Sequence, residues 1–564
     1  MGQASFLRKK IHVDLPADLH RRLRVKAALR SQSMQRFVCD LVAASVGDVL
    51  IRESATSSES QRVPTSGVTR RGAATYVPPV GDDLWVRESL PLFGVDAPAA
   101  TLSVPGLSHR AALQGVYASK LMVNDRLSRS LVSFQSNKTM PFYRWFRFKE
   151  AFSHDLVRYI LDLAARSSSG GRRVLDPFAG AGTTLTTATR DGWTATGVEL
   201  LPVGIAAMRA RLTADTVDIE AFESEAERIL AAPLGGATET SYRFPHLAIT
   251  RQAFPPENER ALGEFMGMLP DIANSKVRYL MWFAALAVLE DTSYTRKDGQ
   301  YLRWDSRSGR RLKSNFDKGT VLSFRAALEQ KLSVMREDLA GRNGGSFSRH
   351  VEIIEGSCLQ ELALLPGGSF DLVVTSPPYC NRYDYTRTYA LELAFMNYGE
   401  RAVTQLRQQL LSATVENKSK RRVMDAWYAA RGERSRFEAA CAVFDNHSAL
   451  QEVLSLLREA RTRDELNNRN IPDMVTNYFF EMNLVIRELA RLLAEGGAVV
   501  MVNDNVQYHG EEVPVDLILS DFADAAGLTP EVIWVLSRGK GNSSQQMGAH
   551  GRRELRKCVY VWRR

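Results

Sequence analysis

Phe370-Asp371-Leu372-Val373-Val374-Thr375-Ser376-Pro377-Pro378-Tyr379 is the stretch on which the fold turns. Residues 370–374 read as a short buried strand, and the two prolines end it. Neither proline donates to a ladder, and each restricts the residue before it. The chain therefore leaves its sheet in a stiff, extended turn with carbonyl oxygens pointing outward. Ser376 adds a hydroxyl, and Tyr379 adds a flat aromatic face with a polar tip. Acceptors held rigidly beside an aromatic plate suit a planar group that carries an NH2, such as a nucleobase. Taken alone, the same residues also describe an ordinary strand exit with a buried tyrosine.

A second motif lies upstream, in Val174-Leu175-Asp176-Pro177-Phe178-Ala179-Gly180-Ala181-Gly182-Thr183-Thr184. An apolar strand runs into a glycine-rich turn, and a helix over Thr183–Arg190 follows. Glycines there let the backbone approach a ligand closely and leave helix N-terminal amides free. Residues 194–198 read as the next strand, with Glu199 at its end, where an acid is placed to accept from ribose hydroxyls. The combination points to an adenosine-bearing cofactor.

Together the motifs resemble the amino-methyltransferase family that uses S-adenosylmethionine to methylate DNA bases. Asp-Pro-Phe-x-Gly-x-Gly-Thr-Thr looks like that family's cofactor loop, and Ser-Pro-Pro-Tyr like its catalytic motif, in the order cofactor motif first. The resemblance covers residues 146–201 and 351–385, and more loosely 475–561. It implies a Rossmann-like, three-layer, mainly parallel α/β sheet, with Ser376, Pro377, Pro378 and Tyr379 catalytic. It assigns the cofactor to Asp176, Pro177, Phe178, Gly180, Gly182, Thr183, Thr184 and Glu199. Residues 146–152 look like the segment before the family's cofactor loop, where an aromatic packs on the cofactor, which adds Phe148 and Lys149. Ser357, after a third strand over residues 351–354, stands where the family commonly has an acid that accepts from the adenine amine. A serine makes only part of that contact.

The implied reaction is methyl transfer to the exocyclic amine of a base flipped out of the duplex. Many N6-adenine enzymes of that family carry Asp or Asn where Ser376 stands, and a serine is more usual in its N4-cytosine enzymes, so the resemblance implies N4 of cytosine over N6 of adenine. An RNA amine methyltransferase, and a DNA-binding regulator with an inactive methylase domain, are the alternatives. Cys380 follows the catalytic motif, but its neighbours do not suit a nucleophile, which argues against C5-methylcytosine.

The 564 residues favour several domains, and the net charge of +9 permits a polyanionic partner. No run approaches the ~20 apolar residues that span a bilayer. The basic residues 1–10 precede no apolar segment, so a cytoplasmic location is expected. The five cysteines are far apart and show no metal-type pairing, so no metal is expected.

Residues 1–48 form a compact unit that resembles the ribbon–helix–helix fold: a strand alternating over 10–15, then two short helices. In that fold two chains pair their strands in the major groove. Lys10 and His12 would face outward with Asp14, and residues 8–36 hold nine Lys or Arg against two Asp. DNA binding is favoured over dimerisation alone. Residues 49–81 read as a flexible Ser/Thr/Gly/Pro linker. Residues 82–204 begin the methyltransferase domain, 351–385 carry the catalytic motif, and 471–564 complete the domain.

Two insertions interrupt it. Residues 205–350 contain helices and a basic, aromatic run in which Arg296, Lys297, Arg303, Arg310 and Arg311 are candidates for DNA contact. This is the candidate target-recognition region. Residues 386–470 are helical and basic. Arg382, at the mouth of the catalytic turn, is a further DNA candidate. The expected partners are double-stranded DNA, a second copy through the N-terminal unit, and a separate restriction or defence protein, with no membrane.

Overall fold

The computed structural model describes residues 108–167, 171–236, 242–298, 301–311, 315–342, 348–537, 540–541 and 554–564. The expectations for the unit at 1–48, including Lys10 and His12, and for the linker at 49–81 lie outside the described residues.

Eight strands form the central sheet: β1 (Leu121–Val123), β2 (Arg173–Asp176), β3 (Thr194–Glu199), β4 (Val351–Glu355), β5 (Phe370–Thr375), β6 (Leu493–Asp504), β7 (Thr529–Val535) and β8 (Lys557–Arg563). Their order is β1-β7-β8-β6-β5-β2-β3-β4. Strands β6, β5, β2, β3 and β4 run parallel. β8 is antiparallel to both of its neighbours, and β1 runs parallel to β7 at the edge. The C-terminal strands β7 and β8 thus form an antiparallel pair on one side of the sheet, with β1 at the edge beyond them. The edge strand β1 has no counterpart in the sequence reading, because three residues are too few to show a period.

The helices follow from apolar periodicity: α1 (His154–Ser167), α2 (Thr183–Arg190), α3 (Pro202–Thr216), α4 (Ser275–Val288), α5 (Phe324–Ala340), α6 (Cys358–Leu364), α7 (Ile471–Leu492) and α8 (Val515–Ala525). Successive strand residues point to opposite faces. Leu372, Val374, Val500 and Val502 pack with α1 and α2, whereas Val373, Val499 and Met501 pack with α6, α7 and α8. This makes a three-layer α/β fold.

Residues 205–350 share a core with the cofactor side of the sheet. Phe148, Ala181 and Leu201 join residues of α4 and α5 in one buried cluster, with Tyr389, Leu391 and Phe395. Within this segment, Thr295–Asp298 and Tyr301–Trp304 form an antiparallel hairpin. The second insertion, over 386–470, is helical throughout its ordered elements.

The order of strands reverses between β2 and β5: from β2 the sheet continues to β3 and β4, from β5 to β6. Loops leaving the carboxyl ends of two such strands diverge and open a crevice, where sheets of this kind take ligands. The glycine turn leaves β2, and the Ser-Pro-Pro-Tyr turn leaves β5.

Candidate active site

A cleft lies at that crevice. Pro177, Phe178, Gly180 and Thr183 line it from the turn after β2, Glu199 from the end of β3, and Ser376 and Pro378 from the turn after β5. Phe148, Glu150, Ser357, Tyr385 and Gln409 complete its walls. Two motifs about two hundred residues apart in sequence therefore share one cavity.

Asp176 joins them. Its Oδ1 accepts from Thr375 Oγ1 at 2.7 Å, and its Oδ2 accepts from Thr184 Oγ1 at 2.7 Å. The Phe178 amide also donates to Oδ1, at 3.1 Å. A single buried carboxylate thus ties β5 to the turn after β2 and to α2. Burial pushes its pKa up to about 6 against these hydrogen bonds. Asp176 lines the cleft, but its main work is to hold both turns.

Glu199 is similarly engaged. Oε2 accepts from the Gly180 amide at 2.6 Å, and Oε1 from the Leu200 and Leu201 amides at 2.8 and 2.6 Å. Burial lifts its pKa to about 7. The acid thereby fixes the glycine turn.

Two glycines are required by geometry. Gly180 has φ +53°, and a Cβ there would sit 3.1 Å from the Phe148 ring. Gly182 has φ +74°, and its Cβ would lie 2.5 Å from Met208. Arg211 supports the turn from beneath: it is buried, donates to the Ala181 carbonyl and stacks on Tyr143 at 4.6 Å. No sequence signal marks this arginine.

Phe148 is buried and stacks on Tyr389, with ring centroids 5.2 Å apart. Lys149 is not among the residues that line the cleft; its amide donates to the Tyr389 hydroxyl at 3.3 Å. The neighbouring Glu150 does line the cleft, and its Oε2 accepts from Tyr389 Oη at 2.8 Å. It went unassigned in the sequence, although an acid inside the aromatic run 146–152 is a visible irregularity. Ser357 borders the cleft and donates to the Gln409 carbonyl at 3.4 Å. The second insertion thus adds residues 409–411 to the wall.

In the catalytic turn, Ser376 Oγ donates to Tyr379 Oη at 3.2 Å. Tyr379 has the Lys557 ammonium 5.6 Å from its ring centroid, and Lys557 pairs with Asp504 at 3.2 Å. Cys380 is wholly buried, and burial pushes its thiol up, away from the reactive thiolate.

The DNA candidates separate. Lys297 is corrected: it is 3% exposed, and its ammonium pairs with the buried Glu392 and, at 3.6 Å, with Glu290. It also sits 4.9 Å from the Tyr389 ring centroid. An enclosed, paired cation cannot meet a phosphate. Arg310 donates to the carbonyls of Ile249 and Arg251 and stacks on Trp304. Arg303 stacks on Phe316 at 4.0 Å, and Arg382 donates to Asn467 at 3.2 Å. Arg296 and Arg311 are exposed.

An α/β sheet with ligand turns at its switch point, one glycine-rich and one Ser-Pro-Pro-Tyr, defines a methyltransferase fold. The chain belongs to the type II methyltransferases, DNA methyltransferases of restriction–modification. It is 42% identical over 461 residues to the type II methyltransferase M.AvaI of Nostoc sp. and of Anabaena variabilis, covering 80% of this chain and 92% of theirs. It is 36% identical over 470 residues to M.BsoBI of Geobacillus stearothermophilus, covering 80% and 91% respectively. No protein-family model matches. Among the described residues, no helix is long and apolar enough to cross a membrane.

Proposed function

We propose that the protein transfers the methyl group of S-adenosylmethionine to the exocyclic amine of a base flipped out of duplex DNA, N4 of cytosine. The observation that carries this reading is the single cleft bordered by both the glycine turn and Ser376 with Pro378. S-adenosylmethionine, when bound, supplies an electrophilic methyl group on a sulfonium.

The residues of the chain do the rest. The close backbone approach that the Gly180–Gly182 turn permits and the aromatic wall of Phe148 suit an adenosine, with Glu199 beside the ribose. Ser376, whose proton is directed to Tyr379, keeps lone pairs to accept from the NH2 of the base. The Pro377 carbonyl is a second acceptor. Holding both hydrogens favours a tetrahedral nitrogen and aims its lone pair at the methyl carbon. Rate enhancement then comes from positioning and fixed dipoles. Cytosine is favoured by the serine at 376, in a cleft where Tyr385 supplies an aromatic face and Tyr379 adjoins Ser376.

Mass spectrometry of nucleosides from DNA of cells expressing the protein tests this. N4-methylcytosine is expected. N6-methyladenine would overturn the choice of base and keep the mechanism. Neither modification, with donor and DNA present, would overturn both.

A further inference from the structure

Methylation of an amine leaves a problem that Ser376 does not solve. The nitrogen lone pair forms the new N–C bond, and the electron pair of the broken C–S bond stays on sulfur. The nitrogen is left positively charged with two hydrogens, and one proton must depart. A serine hydroxyl and a proline carbonyl hold hydrogens well but are far too weakly basic to take one at neutral pH.

Three carboxylates border the cleft: Asp176, Glu199 and Glu150. Asp176 is committed to Thr184, Thr375 and the Phe178 amide, and Glu199 to three amides of the cofactor turn. Protonating either would loosen the turns that make the site. Glu150 is different: its hydrogen-bond partner is a phenol, Tyr389, whose hydroxyl can rotate. It lines the same cleft as Ser376 and Pro378. Tyr385, which lines the cleft, lies within electrostatic reach of Glu150.

We propose that Glu150 is the catalytic base, taking the proton from the amine nitrogen after that nitrogen has gained its methyl group. The N–H electron pair stays on nitrogen, giving the neutral methylamino base, and Glu150 passes its proton to water at the open cleft. This inference rests on the function proposed above.

The surroundings of Glu150 are consistent with the role. Tyr383, Tyr385 and Tyr389 face it from the segment after the catalytic turn, Lys149 adjoins it, and Lys297 of the hairpin adds a more distant positive charge. Burial raises its pKa above that of an ordinary glutamate, while the phenols and Lys149 oppose the rise. A carboxylate so tuned is a better proton acceptor near neutrality.

The test uses the full chain, S-adenosylmethionine and unmethylated DNA. Single-turnover methyl transfer is followed from about pH 5 to about pH 9 for wild type and Glu150→Gln. The wild-type rate should fall on the acid side. The variant should be slower by ~10²-fold or more and lose that acid limb. Calorimetry should find its affinity for S-adenosylmethionine unchanged, and difference infrared titration of the unliganded protein should find one carboxyl band missing. A variant with the wild-type rate, or a slow one with the same acid limb, would overturn the proposal. So would loss of S-adenosylmethionine binding, which would make Glu150 a contact of the methyl donor. If Glu150→Gln does not fold, Tyr389→Phe decides: losing the phenol donor should move the acid limb to higher pH, and an unmoved limb counts against Glu150. Wild type that binds S-adenosylmethionine yet methylates no amine would instead sink the proposed function.

Discussion

At the scale of single residues, the site is held by groups that do not react. Asp176 is the plainest case, and its burial has a consequence for pH. Its folded pKa of about 6 lies above the ordinary aspartate value. Between about pH 4 and about pH 6 the native protein therefore holds more proton than the unfolded chain, so stability rises as pH falls through that window. Above it, the cost of the buried charge is carried in full. Asp176→Asn removes this titration while Thr184, already 3.3 Å from the Val374 carbonyl, can turn its proton there. Thermal melts should show wild type gaining on the variant as pH falls from about 7.5 to about 5, by on the order of 1–3 kcal/mol. A pH-independent difference would rule out this account of Asp176. Gly180→Val forces a side chain into a left-handed conformation and against Phe148. Calorimetry should find S-adenosylmethionine bound at least ~10-fold more weakly. Ser376→Ala should bind the donor normally and lose ~10²-fold or more of the single-turnover rate, since one acceptor for the amine is gone.

At the scale of elements, the hairpin Thr295–Asp298/Tyr301–Trp304 is pinned by its buried lysine to the aromatic wall behind the cleft. Lys297→Met strands Glu392 in the core and should cost about 3–5 kcal/mol in denaturant melts. Lys297→Met with Glu392→Leu should recover most of that loss, because an apolar pair replaces an ionic one. If the double variant were no more stable than the single, the pairing would not be the anchor. This element also marks where sequence ceases to inform. The alternation of Lys and Arg with aromatics reads alike for a DNA face and for a tethered hairpin; only the tertiary neighbours Glu290 and Glu392 decide that Lys297 is inside. The strands that carry the two turns were legible, because their apolar runs end in Gly or Pro punctuation that fixes the turn chemistry. Arg211 and Gln409 were not, since each reaches the site from an element whose own pattern only describes a helix and its end. Glu150 fell between: its position in an aromatic run was visible, its cavity was not.

At the scale of the whole molecule, the core of the first insertion is continuous with that of the cofactor side, so the region proposed to meet DNA is not an independent module. Residues 1–47 are expected to add DNA affinity and to contribute nothing to chemistry. Deleting them should lower the affinity for DNA and flatten its dependence on salt, with calorimetric binding of S-adenosylmethionine unchanged. A truncated protein with the same affinity and salt slope would give that unit another role. The contact between Asp176 and Thr375 spans 199 residues of chain, and this sets a timetable for folding. Contacts so distant in sequence must wait for a long loop to close, while the helices between them condense on near neighbours. On the ribosome, the glycine turn emerges well before the strand that must receive its aspartate. Refolding should therefore show helical circular dichroism rising ahead of S-adenosylmethionine binding. A newly made chain is compact before it is competent, and it acquires its pocket only when its two halves meet.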